Sequence, residues 1–296
     1  MVKLRDLEYL RAIAQYRHFG RAAEACCVSQ PTLSGQLMKL EEQLGLVLVE
    51  RHRRNVMLTA PGEQLVQQAE VVLKAANDFE TMAADLLDPL SGDIHLGLIP
   101  TLAPYLLPHI MTGIGQQMPN VNVFLHEEQT KVLLAELDAG RFDMLILPWF
   151  EGMDGFDRYD LFDEPLVMAM PSHHVLTAKD AVCLGDLNDQ NVLTLEDGHC
   201  LRDHAMGYCF AAGAKEDVRF RATSLETLRY MVASGSGITL LPKLAVVEDS
   251  DLLSYRHFQD PQPVRQIVLL VRPNYSRMAC VRALVSCIRQ SVKTLI

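Results

Sequence analysis

No apolar run in this sequence reaches the ~18–20 residues needed to span a bilayer. The N-terminal Met-Val-Lys-Leu-Arg-Asp-Leu-Glu lacks the apolar centre of a signal peptide. No membrane-spanning helix is therefore expected, and the cytoplasm is the expected compartment. Seven cysteines form an odd, scattered set (Cys26, Cys27, Cys183, Cys200, Cys209, Cys280 and Cys287), unlike a secretory disulfide framework. No Cys/His spacing, His173-His174 and His199 included, matches a zinc site, so no metal is expected. Gly235-Ser236-Gly237 is not a G-x-G-x-x-G fingerprint and no phosphate loop follows it. The chain also lacks an excess of positive charge: its formal net charge is −10, which excludes a uniformly basic nucleic-acid binder.

What is present is an ordinary globular composition, 49% hydrophobic and 22% charged. At 296 residues it suggests two domains, or three if one is small. The charge is unevenly spread. Residues 1–60 hold nine Lys and Arg against six Asp and Glu, and the remainder holds 18 against 31. A basic head on an acidic body predicts that one end meets a polyanion.

The first sixty residues read as short helices joined by tight turns. Leu4, Leu7, Leu10 and Ile13 recur at helical spacing, and Phe19–Ala25 opens a second helix. Ser29 is a candidate N-cap, and Pro31 suits a first helical turn, where its missing N–H costs nothing. Leu33, Leu37, Leu40 and Leu44 then form one stripe, ended by Gly45. Val47–Val49 and Val56–Leu58 are β-like runs flanking Arg51, Arg53 and Arg54, which predicts a hairpin with a cationic tip. Helix, turn, helix and basic hairpin is the layout of a winged helix-turn-helix; the bland alternative is a helical trimer for protein contacts with Arg51–Arg54 in a solvated loop. In the first, the recognition helix would carry Gln30, Thr32, Ser34 and Gln36 to bases and phosphates, with arginines on the backbone. Cys26 and Cys27 in this region read as core residues.

From Thr59 to Asp88 the pattern becomes one long helix. Leu65, Ala69, Val72, Ala76, Phe79, Ala83 and Leu86 alternate steps of four and three, an a/d seam about three heptads long. Pro89 and Gly92 follow, favouring a connecting helix that pairs with a second subunit over one packed on its own domain. Beyond it, strand-like runs (94–99, 121–126, 144–147, 166–170, 192–195, 218–222, 238–241 and 267–271) alternate with amphipathic helices. That implies mostly parallel sheets covered on both faces, in two small lobes with a ligand cleft at the strand ends.

The stretch Arg21–Gly45 (RAAEACCVSQPTLSGQLMKLEEQLG), continued by Glu50-Arg51 and Leu58-Thr59-Ala60-Pro61-Gly62, resembles the LysR-type transcriptional regulators. The resemblance covers nearly the whole chain. It implies an α/β protein: a winged helix-turn-helix (1–58), a dimerising coiled-coil linker helix (59–88), a hinge (89–92) and an effector domain (93–296). The effector domain would be two-lobed and Rossmann-like, of the periplasmic-binding-protein type. Lobe I would span about 93–162 and 267–296, and lobe II about 163–266. The DNA contacts it implies fall on Ser29, Gln30, Pro31, Thr32, Ser34, Gln36, Arg51 and Arg53, and the dimer contacts on Leu65, Ala69, Val72, Ala76, Phe79 and Ala83.

Two cysteines lie in Leu195–Cys209, just after the 192–195 run. Leu201, Ala205, Tyr208 and Ala212 lie at helical spacing and Gly213 is a stop, which places Cys200 near a helix N-terminus. The dipole, His199 and Arg202 would all favour a reactive thiolate there. The bland reading is two buried apolar thiols. A helix would separate the Cα atoms of Cys200 and Cys209 by ~13 Å, whereas a disulfide spans ~4.4–6.8 Å. Pairing would therefore require unwinding.

Gly198-His199-Cys200-Leu201-Arg202-Asp203-x-Ala205-Met206-Gly207-x-Cys209 and Arg221–Leu228 resemble the peroxide-sensing members of the same family, as do Gly97–Pro108 and Gly235–Pro242. That resemblance implies a redox sensor in which Cys200 is oxidised to a sulfenic acid and then bonds to Cys209. It places Thr101, His199 and Arg265 around the peroxide or the thiolate, with Thr130, Arg202 and Asp203 in the same pocket. Hydrogen peroxide would be signal and oxidant, with no cofactor and no membrane. Partners would be double-stranded promoter DNA, a homo-oligomer (dimer or tetramer), RNA polymerase and a thiol reductant such as glutaredoxin or thioredoxin. The protein would activate antioxidant genes and would not be an enzyme. The alternatives are a regulator sensing a small metabolite in its interlobe cleft and a thiol peroxidase. Cys183, Cys280 and Cys287 read as structural.

Overall fold

In a computed structural model of the chain, residues 1–51, 56–247, 251–293 and 295 are described, with all of their side chains except those of 51, 81, 84–87, 218 and 220. The chain divides into two units, Met1–Ala83 and Ala84–Ile296. The first contains α1 (Leu4–Tyr16), α2 (Phe19–Ala25), α3 (Gln30–Leu44) and the hairpin of β1 (Val49–Arg51) and β2 (Val56–Leu58). The Ser29 hydroxyl accepts the Thr32 N–H at 3.3 Å, and Pro31 sits in the first turn, so α3 starts as its sequence predicts. His18 caps α2 by accepting from the Gly20 and Arg21 N–H groups. Leu33, Leu37 and Leu40 enter a core with Leu10, Ile13, Ala22 and Leu48. The other face of α3 is left polar, with Gln30 and Thr32 exposed and Ser34 and Gln36 half-buried. Arg53 and Arg54, expected at the hairpin tip, lie outside the described residues, as does the Arg51 side chain. The core reading is corrected for Cys27, which is exposed with left-handed backbone (φ 53), whereas Cys26 is half-buried and packs against this core.

The long helix α4 spans Ala60–Leu87. Thr59 Oγ1 accepts the Gly62 N–H at 3.1 Å. A Cβ on Gly62 would stand 2.1 Å from the Leu48 carbonyl oxygen, so only glycine lets the helix start this close to the hairpin. The apolar seam divides in two. Ala69 is buried and Leu65 packs on the core of its own unit, whereas Val72 is 39% and Phe79 74% exposed. Ala76 is half-buried, Ala83 is exposed, and the Leu86 side chain lies outside those described.

The second unit runs β3 (Ser91–Leu98), α5 (Ala103–Gln117), β4 (Asn120–Glu127), α6 (Thr130–Asp138), β5 (Met144–Pro148) and β6 (Asp157–Pro171). Then come β7 (Ala181–Val182), β8 (Asn191–Leu195), α7 (Cys200–Ala211), β9 (Lys215–Ala222), α8 (Leu225–Ala233) and β10 (Thr239–Pro242). The chain closes with β11 (Leu253–Phe258), β12 (Val264–Val271) and α9 (Met278–Val292). The main sheet has the order β4-β3-β5-β12-β6-β11-β7, with β10 also on β6. Strands β3, β4 and β5 are parallel, as the alternation of elements predicts. The centre is not: β12 is antiparallel to β5 and β6, and β10 and β11 are antiparallel to β6. The expectation of mostly parallel sheets is corrected for a topological reason. The 15-residue β6 carries the chain from one lobe into the other, and β12 brings it back alongside. Strands that leave and return side by side run antiparallel. Each lobe has its own core. One gathers Leu96, Leu106, Ile146, Leu269, Ile288 and Cys200, and the other Val167, Leu193, Leu228, Leu240 and Cys209.

Candidate functional site around Cys200

The site is assembled from loops and strand ends that converge between the two cores. After β8 the chain turns through Gly198, whose φ is +98. That backbone conformation favours glycine, and a Cβ there would also push on the end of the Gln129 side chain, 2.8 Å away at Oε1. His199 follows in extended conformation, and Cys200 is the first residue of α7, 7% exposed. Thr101 lies in the turn after β3 and Thr130 opens α6; both are buried. A crevice too tight in this structure to admit a water molecule is lined by Thr101, Gln129, Thr130, Gly198, His199 and Cys200, among others. Beside it, a larger cavity of about 590 Å³ reaches Thr130 and Cys200 from the side of Lys131, Phe150, Glu151, Asp203 and His204.

Arg265 on β12 anchors the floor. Its guanidinium is 1% exposed. Nη1 donates to Thr101 Oγ1 at 3.2 Å and Nη2 to the Thr101 carbonyl at 3.0 Å. Nε donates to Glu164 Oε2 at 2.7 Å. Glu164 is the direct cross-strand partner of Arg265 on β6, and its second oxygen accepts the Leu244 N–H at 3.1 Å. Sequence reasoning missed Glu164 and Gln129. Nothing local marks Glu164, and only strand pairing shows that it faces an arginine about a hundred residues away.

Burial is the largest influence on the Cys200 thiol and pushes its pKa up. The Thr130 hydroxyl, the Arg265 charge and the Leu201 N–H pull the other way, and the Asp203 charge adds to burial. Thr130 Oγ1 is buried with no well-formed hydrogen bond of its own. It sits against the thiol in a geometry that favours the thiolate without satisfying the hydroxyl.

Several expected roles change. Burial lowers the His199 pKa, so the ring is neutral near pH 7 and supplies no positive charge. Arg202 turns away from the thiol: Nη1 meets Asp197 at 3.2 Å and Nη2 meets Glu216 at 2.8 Å, tying the first turn of α7 to the β8–β9 side. Asp203 is exposed and opposes ionisation. Thr101, Thr130, His199 and Arg265 are brought together with Cys200. Asp203 lines the larger cavity beside Cys200, whereas Arg202 ties down the helix.

Cys209 lies in the other core, fully buried, with burial pushing its pKa up to about 12. Both cysteines are free thiols on one continuous helix. The neighbouring Tyr208 donates its hydroxyl to the Val264 carbonyl at 3.3 Å, pinning the middle of α7 to the start of β12.

Residues 4–63 match the family model for bacterial regulatory helix-turn-helix proteins of the lysR family, and residues 88–293 match the LysR substrate binding domain. Among curated proteins, the chain is 51% identical over 274 residues to the DNA-binding transcriptional dual regulator OxyR of Escherichia coli K12, covering 92% of this chain and 90% of that one. It is 42% identical over 297 residues to the hydrogen peroxide-inducible genes activator of Haemophilus influenzae, covering 100% and 99%. Among solved structures it resembles a full-length OxyR variant from Pseudomonas aeruginosa, with TM-score 0.76 and 35% identity, covering 98% of each chain. It also resembles a hydrogen-peroxide-bound OxyR mutant of Corynebacterium glutamicum, with TM-score 0.69 and 31% identity over 99% and 93%. The chain belongs to the LysR family of bacterial DNA-binding transcriptional regulators.

Proposed function

We propose that this regulator senses hydrogen peroxide through Cys200 and activates antioxidant genes in response. The observation that carries the reading is a buried thiol facing an unpartnered buried hydroxyl, Thr130, in a cleft floored by the Thr101–Arg265 pair. A small oxygen molecule that both donates and accepts hydrogen bonds would satisfy Thr130 and present an oxygen to the sulfur. The Cys200 thiolate attacks one peroxide oxygen, the O–O bond breaks, and hydroxide leaves as Cys200 becomes a sulfenic acid. The Cys209 sulfur then displaces the hydroxyl of that acid, releasing water and forming the disulfide. Relatives of this chain are named for peroxide-inducible gene activation, which disfavours a metabolite ligand for the cleft.

The shape of α7 turns this local bond into a global signal. Closing ~13 Å of helix to disulfide distance unwinds the segment. That breaks the Tyr208–Val264 bond and withdraws Cys209 from the second core. On this reading the polar face of α3 contacts promoter DNA. The exposed apolar half of α4, with Val71, Val72, Phe79 and Met82, pairs with a second copy, giving a dimer or a tetramer of two dimers. RNA polymerase and a glutaredoxin- or thioredoxin-type reductant complete the cycle. A sensor reacts once and waits for that reductant, whereas a peroxidase would turn over rapidly.

The deciding experiment is disulfide peptide mapping after one equivalent of peroxide, read beside binding to a candidate promoter. A Cys200–Cys209 bond that changes promoter binding is the expected result. A principal disulfide elsewhere, or promoter binding indifferent to Cys200→Ser, would overturn it.

A further inference from the structure

Among the buried charges that the peroxide chemistry does not use, Glu164 is the one paired with Arg265. Glu164 is 0% exposed, and its carboxylate touches neither Cys200 nor the cleft. Its Oε2 lies 2.7 Å from both Nε and Nη2 of Arg265, so it holds that edge of the guanidinium while Nη1 reaches the Thr101 hydroxyl and Nη2 also reaches the Thr101 carbonyl at the cleft wall. A guanidinium is a flat fork, so fixing one edge fixes the direction of the other.

We infer that Glu164 is a positioning residue that holds the Arg265 guanidinium toward Thr101 and offsets its charge at Cys200, thereby setting the peroxide level at which the thiol reacts. The inference rests on the peroxide reading of Cys200. An uncompensated buried guanidinium would impose a strong field on a nearby thiol, because little solvent lies between them to screen it. Paired with a carboxylate on its far edge, it presents a weaker, dipolar field instead. The thiol then stays mostly protonated at rest and ionises when an oxidant completes the cleft.

The other groups facing Cys200 are few. Thr130 and Lys131 come from α6, Asp203 and His204 from α7, Glu151 from the segment after β5, and the neutral His199 from the preceding turn. None of them contacts Arg265 in the structure, whereas Glu164 does so at 2.7 Å. Glu164 also accepts the Leu244 N–H, so its own position is held from the second lobe.

The test measures sulfenic acid formation at position 200 against pH 6–9 in the full-length Cys209→Ser protein, trapped with a dimedone-type reagent. Adding Glu164→Gln keeps an acceptor for the arginine Nε but removes the charge. Its pH midpoint should move toward acid by about half to one unit, with trapping at pH 7 about three to ten times faster. Glu164→Asp, which keeps the charge, should return the midpoint toward that of the parent. Glu164→Gln combined with Arg265→Gln removes both charges and avoids a lone buried cation, so it remains informative if the single variant does not fold. It should move the midpoint by less than about half a unit, because the two fields largely cancel. An unshifted or alkaline midpoint in Glu164→Gln, or an alkaline shift of a full unit in the double variant, overturns the inference. Absence of any trapped species at position 200 in the parent would instead overturn the peroxide reading, so the two failures are distinguishable.

Discussion

Gly207 offers a direct way to weigh the unwinding of α7. It lies on the exposed face of the helix interior, and a Cβ built there meets nothing within 4 Å. Alanine at this position should therefore add no clash. It should stabilise the helical state by about 0.5–1 kcal/mol, since glycine loses more backbone freedom on entering a helix. The same change penalises an unwound segment by reducing its freedom. If the Cys200–Cys209 disulfide requires loss of this helix, Gly207→Ala should disfavour the oxidised form by that full amount. At a fixed thiol buffer the disulfide share, expressed as a ratio to dithiol, falls about two- to fivefold. The reduction potential rises by about 10–20 mV for this two-electron couple. Equilibration in glutathione buffers, acid quenching and mass spectrometry of the 200–209 peptide read the shift. Sulfenic acid formation in the Cys209→Ser background should not change, because Cys200 sits at the first helical position. An unchanged or lower potential in Gly207→Ala would refute the claim that the helix melts when the bond forms.

Three other perturbations address separate parts of the molecule. Thr130→Val keeps the shape of the side chain and removes a buried unpartnered hydroxyl, so stability should hold or rise by about 1 kcal/mol. Oxidation of Cys200 should nevertheless slow at least tenfold, and unimpaired oxidation kinetics would remove Thr130 from the peroxide site. Val72→Asp places a charge on the exposed part of the α4 seam; sedimentation should show loss of the dimer with the monomer still folded, and full assembly would mean that this face is not the interface. On DNA, Thr32→Ala or Ser34→Ala should relax base discrimination, whereas Arg51→Ala should weaken binding to all sequences and flatten the salt slope by about 1. Unaltered affinity and selectivity across these three variants would argue against α3 as the reading helix.

Much of this protein is legible along the chain because it is encoded locally. Leu33, Leu37 and Leu40 of α3, the Ser29 cap with Pro31 behind it and Gly45 at the end are short-range signals that appear where the sequence places them, whereas Leu44 at the end of the stripe is exposed. So do the apolar strand runs of the second unit, since a buried strand is written as a run of apolar residues whatever its neighbours are. The Gly198-His199-Cys200 turn and the helix carrying Cys209 follow the same logic, and the ~13 Å between the two thiols follows from helical rise alone. Strand direction does not, because pairing depends on which segments meet. The antiparallel β12 and β6 at the sheet centre therefore emerge only in three dimensions. The same is true of electrostatics. Arg202 and His199 look like thiolate partners by proximity in sequence, yet burial neutralises one and Asp197 and Glu216 engage the other. Arg265 acquires its meaning from Thr101 and Glu164, which lie more than a hundred positions distant or across a strand pair. Sequence determines the helices, the Ser29 cap and the placing of the two thiols on one helix. The tertiary structure decides which charges reach them, because a charge acts through space and is switched on or off by burial and by partners that the chain brings together only on folding.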